Sequence, residues 1–329
     1  MPYNLGTEEA TVQLIEELYI DLKQKVNKWS DVTKQTPQAR MGYVGQHLVS
    51  VVTGYPGGRS GARGHDLELP DGKYGEIKTC YKVDQLGSCN NCSSAVSSIE
   101  KTCPMCGSTD IERKDDSKWL ITIRNDDEFS KFLDPYRYYF VLFDYEDISD
   151  VNNDTIIASI WEVDPKNTGF AYCLFDYYLN IRSKSKSKAP FNMWPYSLKF
   201  QLTKPKLIFK CAIKDDEVTI SIFPGKSTEE YYLDPMEEYA SAKTLDIQSI
   251  NAVISAIDPH APKMSDKKKA LKQLEALRIK HHITDDQLID VLVNCIYLPL
   301  LSDVKEKIPE NYKPMYPRIF STTLIDEMH

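Results

Sequence analysis

The sequence predicts an α/β (α+β) protein with helices at both ends and strands between them. Three observations carry this reading. Apolar residues recur at helical spacing near the start of the chain and again beyond position 226. Between about 66 and 223 they gather instead into short runs punctuated by Pro, Gly and Asp. Four clustered cysteines interrupt those runs.

Residues 7 to 28 read as a helix. Thr7 suits its cap, Glu8 and Glu9 its first turn, and Val12, Ile15, Leu18, Tyr19 and Leu22 form one stripe. A second helix is expected from about Arg40 to Thr53, with Val44, Leu48, Val51 and Val52 on a face and Gly54 at its end. A mobile loop from Tyr55 to Gly64 should follow. A hairpin comes next: Asp66 to Leu69, the turn Pro70-Asp71-Gly72, and Tyr74 to Val83. Further strand-like runs are 119–123, 136–144, 156–163, 170–179, 197–202, 206–213 and 218–223. The alternation of serine or arginine with lysine from Arg182 to Lys188 reads as a loop. Helices are expected over 247–257 and 266–279. Thr284 and Gln287 form a capping box for one more.

These textures divide the chain into a helical part at 1–60, a core at 61–225 with an insertion at about 86–112, and a helical region at 226–329. The 329 residues carry a net charge of −8, which counts against a surface that binds polyanions everywhere but not against a local basic groove. There is no apolar run of transmembrane length and no signal peptide pattern, so a cytoplasmic protein with no membrane partner is expected.

The sharpest motif is Asp66 followed by Glu76-Ile77-Lys78. Side chains alternate along a strand, so Glu76 and Lys78 face one way and Ile77 enters the core. The hairpin returns Asp66 to the side of Glu76. Two carboxylates suit Mg²⁺, a hard cation that prefers oxygen, and an adjacent ammonium can orient water and stabilise a charged phosphate. The acidic-x-lysine triplet alone is weak, since the chain also has it at Asp21, Asp71, Glu112, Asp116, Asp164, Asp266 and Asp303. Asp71 rivals Asp66 but lies inside the turn. Glu68, on the same face as Asp66, is an accessory candidate.

Cys89-x2-Cys92 and Cys103-x2-Cys106 form paired knuckles with the spacing of a tetrahedral Zn²⁺ site. Four thiolates leave no open coordination position, so this zinc is expected to be structural.

Asp66 with Glu76-Ile77-Lys78, preceded by the helix over 40–53, resembles the PD-(D/E)XK nucleases. The wider stretch Gly64-His65-Asp66-Leu67-Glu68-Leu69, Gly75-Glu76-Ile77-Lys78-Thr79 and the four-cysteine insert is similar to the MamI-like group of Type II restriction enzymes. The similarity extends through Asn180-Ile181-Arg182 and Ala189-Pro190-Phe191-Asn192. The resemblance implies a mixed sheet flanked by helices and Mg²⁺-dependent hydrolysis of double-stranded DNA leaving 5′-phosphates. It implies Asp66, Glu76 and the Ile77 carbonyl as metal ligands, a homodimer, and a separate DNA methyltransferase in the same system. Gln46 stands where many relatives carry a glutamate, which leaves the number of metals open.

DNA contacts are expected from Arg59 and Arg63 around the glycine-rich loop, and from Arg182, Lys184, Lys186, Lys188 and Asn192. Two other readings stay open from sequence alone: a structure-specific repair nuclease, and a zinc-ribbon DNA-binding protein without catalysis.

Overall fold

A computed structural model describes residues 4–33, 35, 42–58, 65–83, 85–98, 100–114, 117–121, 123–182, 191–193, 195–233, 245, 247–292, 294–295 and 310. The chain forms two compact units that interleave along the sequence. One comprises Met1–Leu120, Asp134–Asp164 and Pro205–Tyr232; the other comprises Ile121–Leu133, Pro165–Lys204 and Leu233–His329.

The first unit opens with α1 (Glu8–Ile15), where the Thr7 hydroxyl accepts from the Ala10 N–H at 3.3 Å. A π-helical turn, Glu16–Ile20, carries the chain into α2 (Asp21–Thr33). The helix expected over 7–28 therefore runs further and widens in its middle. In α3 (Gly42–Thr53) the buried face is Val44, Leu48, Val49 and Val52, and Gly54 closes the helix at φ +79. After it, the Pro56 carbonyl accepts the Glu68 N–H at 2.9 Å. A Cβ on Gly58 would lie 2.1 Å from the His65 carbonyl oxygen. The start of the glycine-rich loop thus lies flat against the next strand, and a glycine there serves close approach rather than mobility.

The strands in chain order are β1 (Leu67–Glu68), β2 (Tyr74–Tyr81), β3 (Gly87–Cys89), β4 (Ala95–Val96), β5 (Ile111–Glu112) and β6 (Trp119–Ile121). After α4 (Asp126–Leu133) come β7 (Arg137–Tyr145), β8 (Ile156–Val163) and α5 (Thr168–Asp176). Then follow β9 (Phe191–Met193), α6 (Leu198–Leu202), β10 (Lys206–Lys214), β11 (Glu217–Ile222) and β12 (Tyr231–Tyr232). The last helices described are α7 (Ile247–Ile257), α8 (Lys267–His281) and α9 (Asp285–Leu292).

The main sheet has the order β1-β2-β7-β8-β10-β11, with β12 also on β10. Only β2 and β7 run parallel among its pairs; the others are antiparallel. It is a mixed sheet with helices, in line with an α+β class. Its core joins Ile15, Tyr19, Leu48, Val52, Leu67 and Ile77 to Val141, Phe143, Ile160 and Phe209. Burying such side chains is worth about 1.5–3 kcal/mol each. β3, β4 and β5 form a separate small sheet that carries the cysteines.

Helix α3 packs unusually close on β2. A Cβ on Gly45 would stand 2.1 Å from Thr79 Oγ1, 2.6 Å from its Cγ2 and 2.9 Å from its Cβ. Rotating Thr79 relieves the first two contacts but not the third. Gly45→Ala must therefore push α3 off the sheet, at about 1–3 kcal/mol. Thermal denaturation should show a lowered Tm that Gly45→Ala/Thr79→Ala partly restores.

In the second unit, two expectations fail. Residues 170–179 are helical (α5 and the π-helical segment Tyr177–Arg182), not a strand. The run is apolar on every side, because Phe170 to Phe175 are all buried, so no 3.6-residue period is visible. Its true start signal is Asn167, whose side chain caps Gly169 and Phe170. Residues 197–202 are also helical, with the Ser197 hydroxyl accepting from Phe200 N at 3.2 Å. Helix α4 lies in a polar stretch. Asn125 accepts from Glu128 N at 2.9 Å, and Phe129 packs edge-on against Phe175 at 5.1 Å.

Farther along this unit, α7 contributes Ile250, Val253 and Ile254 to a core with Ala270, Leu274 and Leu277 of α8. Asn251 clamps the intervening loop through both backbone groups of Met264, at 2.8 and 2.9 Å. Thr284 and Gln287 exchange the two bonds of a capping box.

Candidate active site and metal centre

Asp66 precedes β1, whose Leu67 pairs with Gly75 across the turn. That antiparallel register carries Asp66 back to the middle of β2. Its Oδ2 accepts the Ile77 N–H at 2.9 Å, and its Oδ1 accepts Gln46 Nε2 from α3 at 3.1 Å. Both carboxylate oxygens are thus oriented. Asp71 stands exposed in the turn at φ 61.

On β2, Ile77 is buried, and the Lys78 ammonium donates to Glu76 Oε1. The Lys78 side chain is 21% exposed and that of Glu76 26%. Burial pushes the Glu76 carboxyl above its ordinary range; Lys78 draws it back down, and the charge of Asp66 raises it again. Glu76 thus feels both the repulsion of the Asp66 carboxylate and the attraction of the Lys78 ammonium. The set suits a hard divalent cation, which would relieve the repulsion. Among the described residues only the four cysteines bring together three or more ligating side chains. The carboxylate site could thus offer a cation two side-chain ligands, leaving the rest to backbone oxygen and water. Glu68 is exposed on β1.

One neighbour of this site carried no sequence signal. His65 stacks on Tyr74 with ring centroids 3.5 Å apart, and the Tyr74 hydroxyl donates to Asp134 Oδ2 at 2.7 Å. Burial and that hydrogen bond hold the Tyr74 phenol protonated well above its usual range. The pairing needs β2 beside the start of β7, which local sequence does not reveal.

The four cysteine sulfurs lie within 4.8 Å of one another, with Cys89–Cys106 at 3.6 Å and Cys92–Cys103 at 3.5 Å. A tetrahedral zinc with bonds of about 2.3 Å requires sulfurs about 3.8 Å apart. The residues present fit that ion. Both knuckles fold alike. Ser93 N–H returns to the Cys89 carbonyl at 2.8 Å, and Gly107 N–H to that of Cys103 at 2.9 Å, with φ of 58 and 72. Gly87 has another purpose: a Cβ there would lie 2.7 Å from the Glu112 carbonyl oxygen of β5. Arg113 ties the base of the ribbon to the carbonyls of Ser97 and Glu100 at 2.8 and 2.9 Å.

The model of the MamI restriction endonuclease family matches residues 28–237, more than half of the chain. The chain belongs to that family. It is also similar to the Type II restriction enzyme MamI of Microbacterium ammoniaphilum, at 35% identity over 81 residues. That match covers 23% of this chain and 25% of the enzyme, so the chain spans about a quarter of the length of this relative. No solved structure matches.

For this MamI-family chain, the match takes in Gln46, Asp66, Glu76, Lys78 and all four cysteines, and ends before α7. Of the expected DNA contacts, Arg182 is described: its Nε donates to the Ile123 carbonyl at 3.2 Å. Arg59, Arg63, Lys184, Lys186 and Lys188 lie outside the described residues, as does the side chain of Asn192. Among the described residues, no helix is long and apolar enough to cross a membrane.

Proposed function

We propose that this protein is a Type II restriction endonuclease that hydrolyses phosphodiester bonds at a specific sequence in double-stranded DNA, using Mg²⁺ and leaving 5′-phosphates. The observation that carries the reading is the locking of Asp66 against β2 by Ile77 N–H and Gln46, beside the Glu76–Lys78 pair. The order α3, β1, β2 and then a parallel β7 supports a PD-(D/E)XK core.

Asp66 and Glu76 hold the cation, with the Ile77 carbonyl as a further oxygen. When bound, Mg²⁺ supplies Lewis acidity at the scissile phosphate. Gln46 acts on Asp66 rather than on the metal: its amide N–H₂ fixes one carboxylate oxygen, which keeps the other geometry constant. Lys78, steered by Glu76, orients the attacking water and offsets charge developing on the phosphate. The Cys89, Cys92, Cys103 and Cys106 ribbon holds a structural Zn²⁺. The enzyme works as a cytoplasmic homodimer beside a separate DNA methyltransferase. Residues 1–60 and 61–225 form the catalytic core, and 226–329 serves dimerisation or DNA recognition.

Incubating the pure protein with lambda-type DNA, with and without Mg²⁺, and sequencing the ends tests this. Discrete fragments with 5′-phosphates are expected only with Mg²⁺. A smear would indicate a structure-specific nuclease. A zinc-dependent gel shift without cutting under any divalent metal would indicate a binding protein.

A further inference from the structure

Charge in the second unit is strongly segregated. Between 263 and 282 there are seven lysines and arginines and two acidic residues, in a chain whose net charge is −8. Lys263, Lys267, Lys268, Lys269 and Lys272 are all exposed. Helix α8 buries Ala270, Leu274 and Leu277, so Lys268 and Lys272 lie one turn apart on its outer side.

Among the described residues, three acids near the helix bond to groups other than the side chains of Lys268, Lys269 and Lys272. The Asp266 carboxylate caps the helix by accepting Lys269 N–H at 2.9 Å. Glu275 reaches Arg278 at 3.5 Å, and Asp258 reaches Lys280 at 3.5 Å and His281 at 4.0 Å. The basic residues at the far end sit where the helix dipole favours them. The lysines do not: four of them occupy the first two turns, where the macrodipole already presents positive charge. For Lys268, Lys269 and Lys272 the dipole makes that placement unfavourable to folding. A surface that concentrates positive potential at such a cost suits an external polyanion.

We infer that the lysine face of α8, from Lys263 to Lys272, docks on the phosphate backbone of double-stranded DNA as a sequence-independent contact. It lies beyond the family match, which ends at residue 237. The inference rests on the reading of the chain as a DNA-cleaving enzyme, and adds a backbone contact in a chain whose net charge is −8.

The test uses the full-length protein, zinc-loaded and without Mg²⁺, and a labelled 30-base-pair duplex of mixed sequence. Lys268→Glu/Lys269→Glu/Lys272→Glu is compared with wild type between 50 and 200 mM salt. Affinity should fall by roughly tenfold or more, and the slope of log K against log salt should shrink by about 2–3. The Tm should hold or rise, because glutamates suit these turns. Lys268→Gln/Lys269→Gln/Lys272→Gln should lose affinity in the same direction and by less. Unchanged affinity and slope in both variants would overturn the inference. So would loss of affinity accompanied by a fallen Tm in both. Wild-type cleavage with Mg²⁺ is scored separately. Cutting by wild type with unaltered binding by the variants overturns the docking face alone. Weakened binding by the variants of a protein that never cuts supports the face and overturns the nuclease reading.

Discussion

Glu76→Gln is expected to reduce DNA cleavage by roughly 10²–10³-fold or more while making the protein, loaded with zinc but without magnesium, slightly more stable. On the proposed mechanism, cleavage falls because one of the two carboxylates that would hold the cation is lost and Lys78 loses its charged partner. Stability moves the other way for a reason visible in the folded state. The carboxyl of Glu76 is held above its ordinary range by burial, with Asp66 adding to the effect and Lys78 opposing it. The folded chain thus grips that proton more tightly than the unfolded chain does. Stability is accordingly lost as pH rises from the ordinary glutamate range through the raised value. Glutamine imitates the protonated form at every pH. The Tm difference between variant and wild type should therefore be positive at pH 8 and shrink towards zero near pH 4. Asp66→Ala and Lys78→Ala should also stop cutting and spare DNA binding. Cutting by Glu76→Gln at the wild-type rate would refute the site.

Removing zinc is expected to unfold the ribbon and leave the main sheet standing. The ribbon core is only Cys89, Val96, Cys103 and Ile111, with Val151 packed against it. So small a cluster cannot fold alone. Metal binding by four thiolates contributes on the order of 10 kcal/mol of local folding energy. One zinc per chain should be measured in the purified protein. After chelation, limited proteolysis should cut between about 87 and 112 while fragments of the core persist. Cys103→Ser should reproduce the pattern without chelator. An identical digestion pattern with and without metal would be inconsistent with a zinc-built ribbon.

Much of this molecule can be read from sequence wherever a local rule determines the outcome. Ile156–Val163 and Ile247–Ile257 have the expected bounds, because one is a short apolar run rich in β-branched residues and the other a clear helical period. The cysteine cluster converges as its spacing implies, since a knuckle is set by a few consecutive residues. Elements buried on all sides escape such rules, as with α5, whose apolar residues hide their own period. The position of Asp66 beside β2 follows from the hairpin. Its bond to Gln46 depends on the close approach of α3 at Gly45, a packing fact. The Asp134–Tyr74–His65 chain depends on tertiary pairing of residues about sixty positions apart, beyond the reach of any motif.

That parallel pairing of β2 with β7 has a kinetic meaning. Glu76 lies opposite Tyr138, and the chain between these strands must close as one long loop before the sheet can be completed. Loops of this length make pairing slow. The ribbon lies within that very loop. A zinc ion held by the four cysteines would draw residues 89 and 106 together and shorten the stretch of chain left to search, so metal loading would ease the pairing of β2 with β7 by a modest amount.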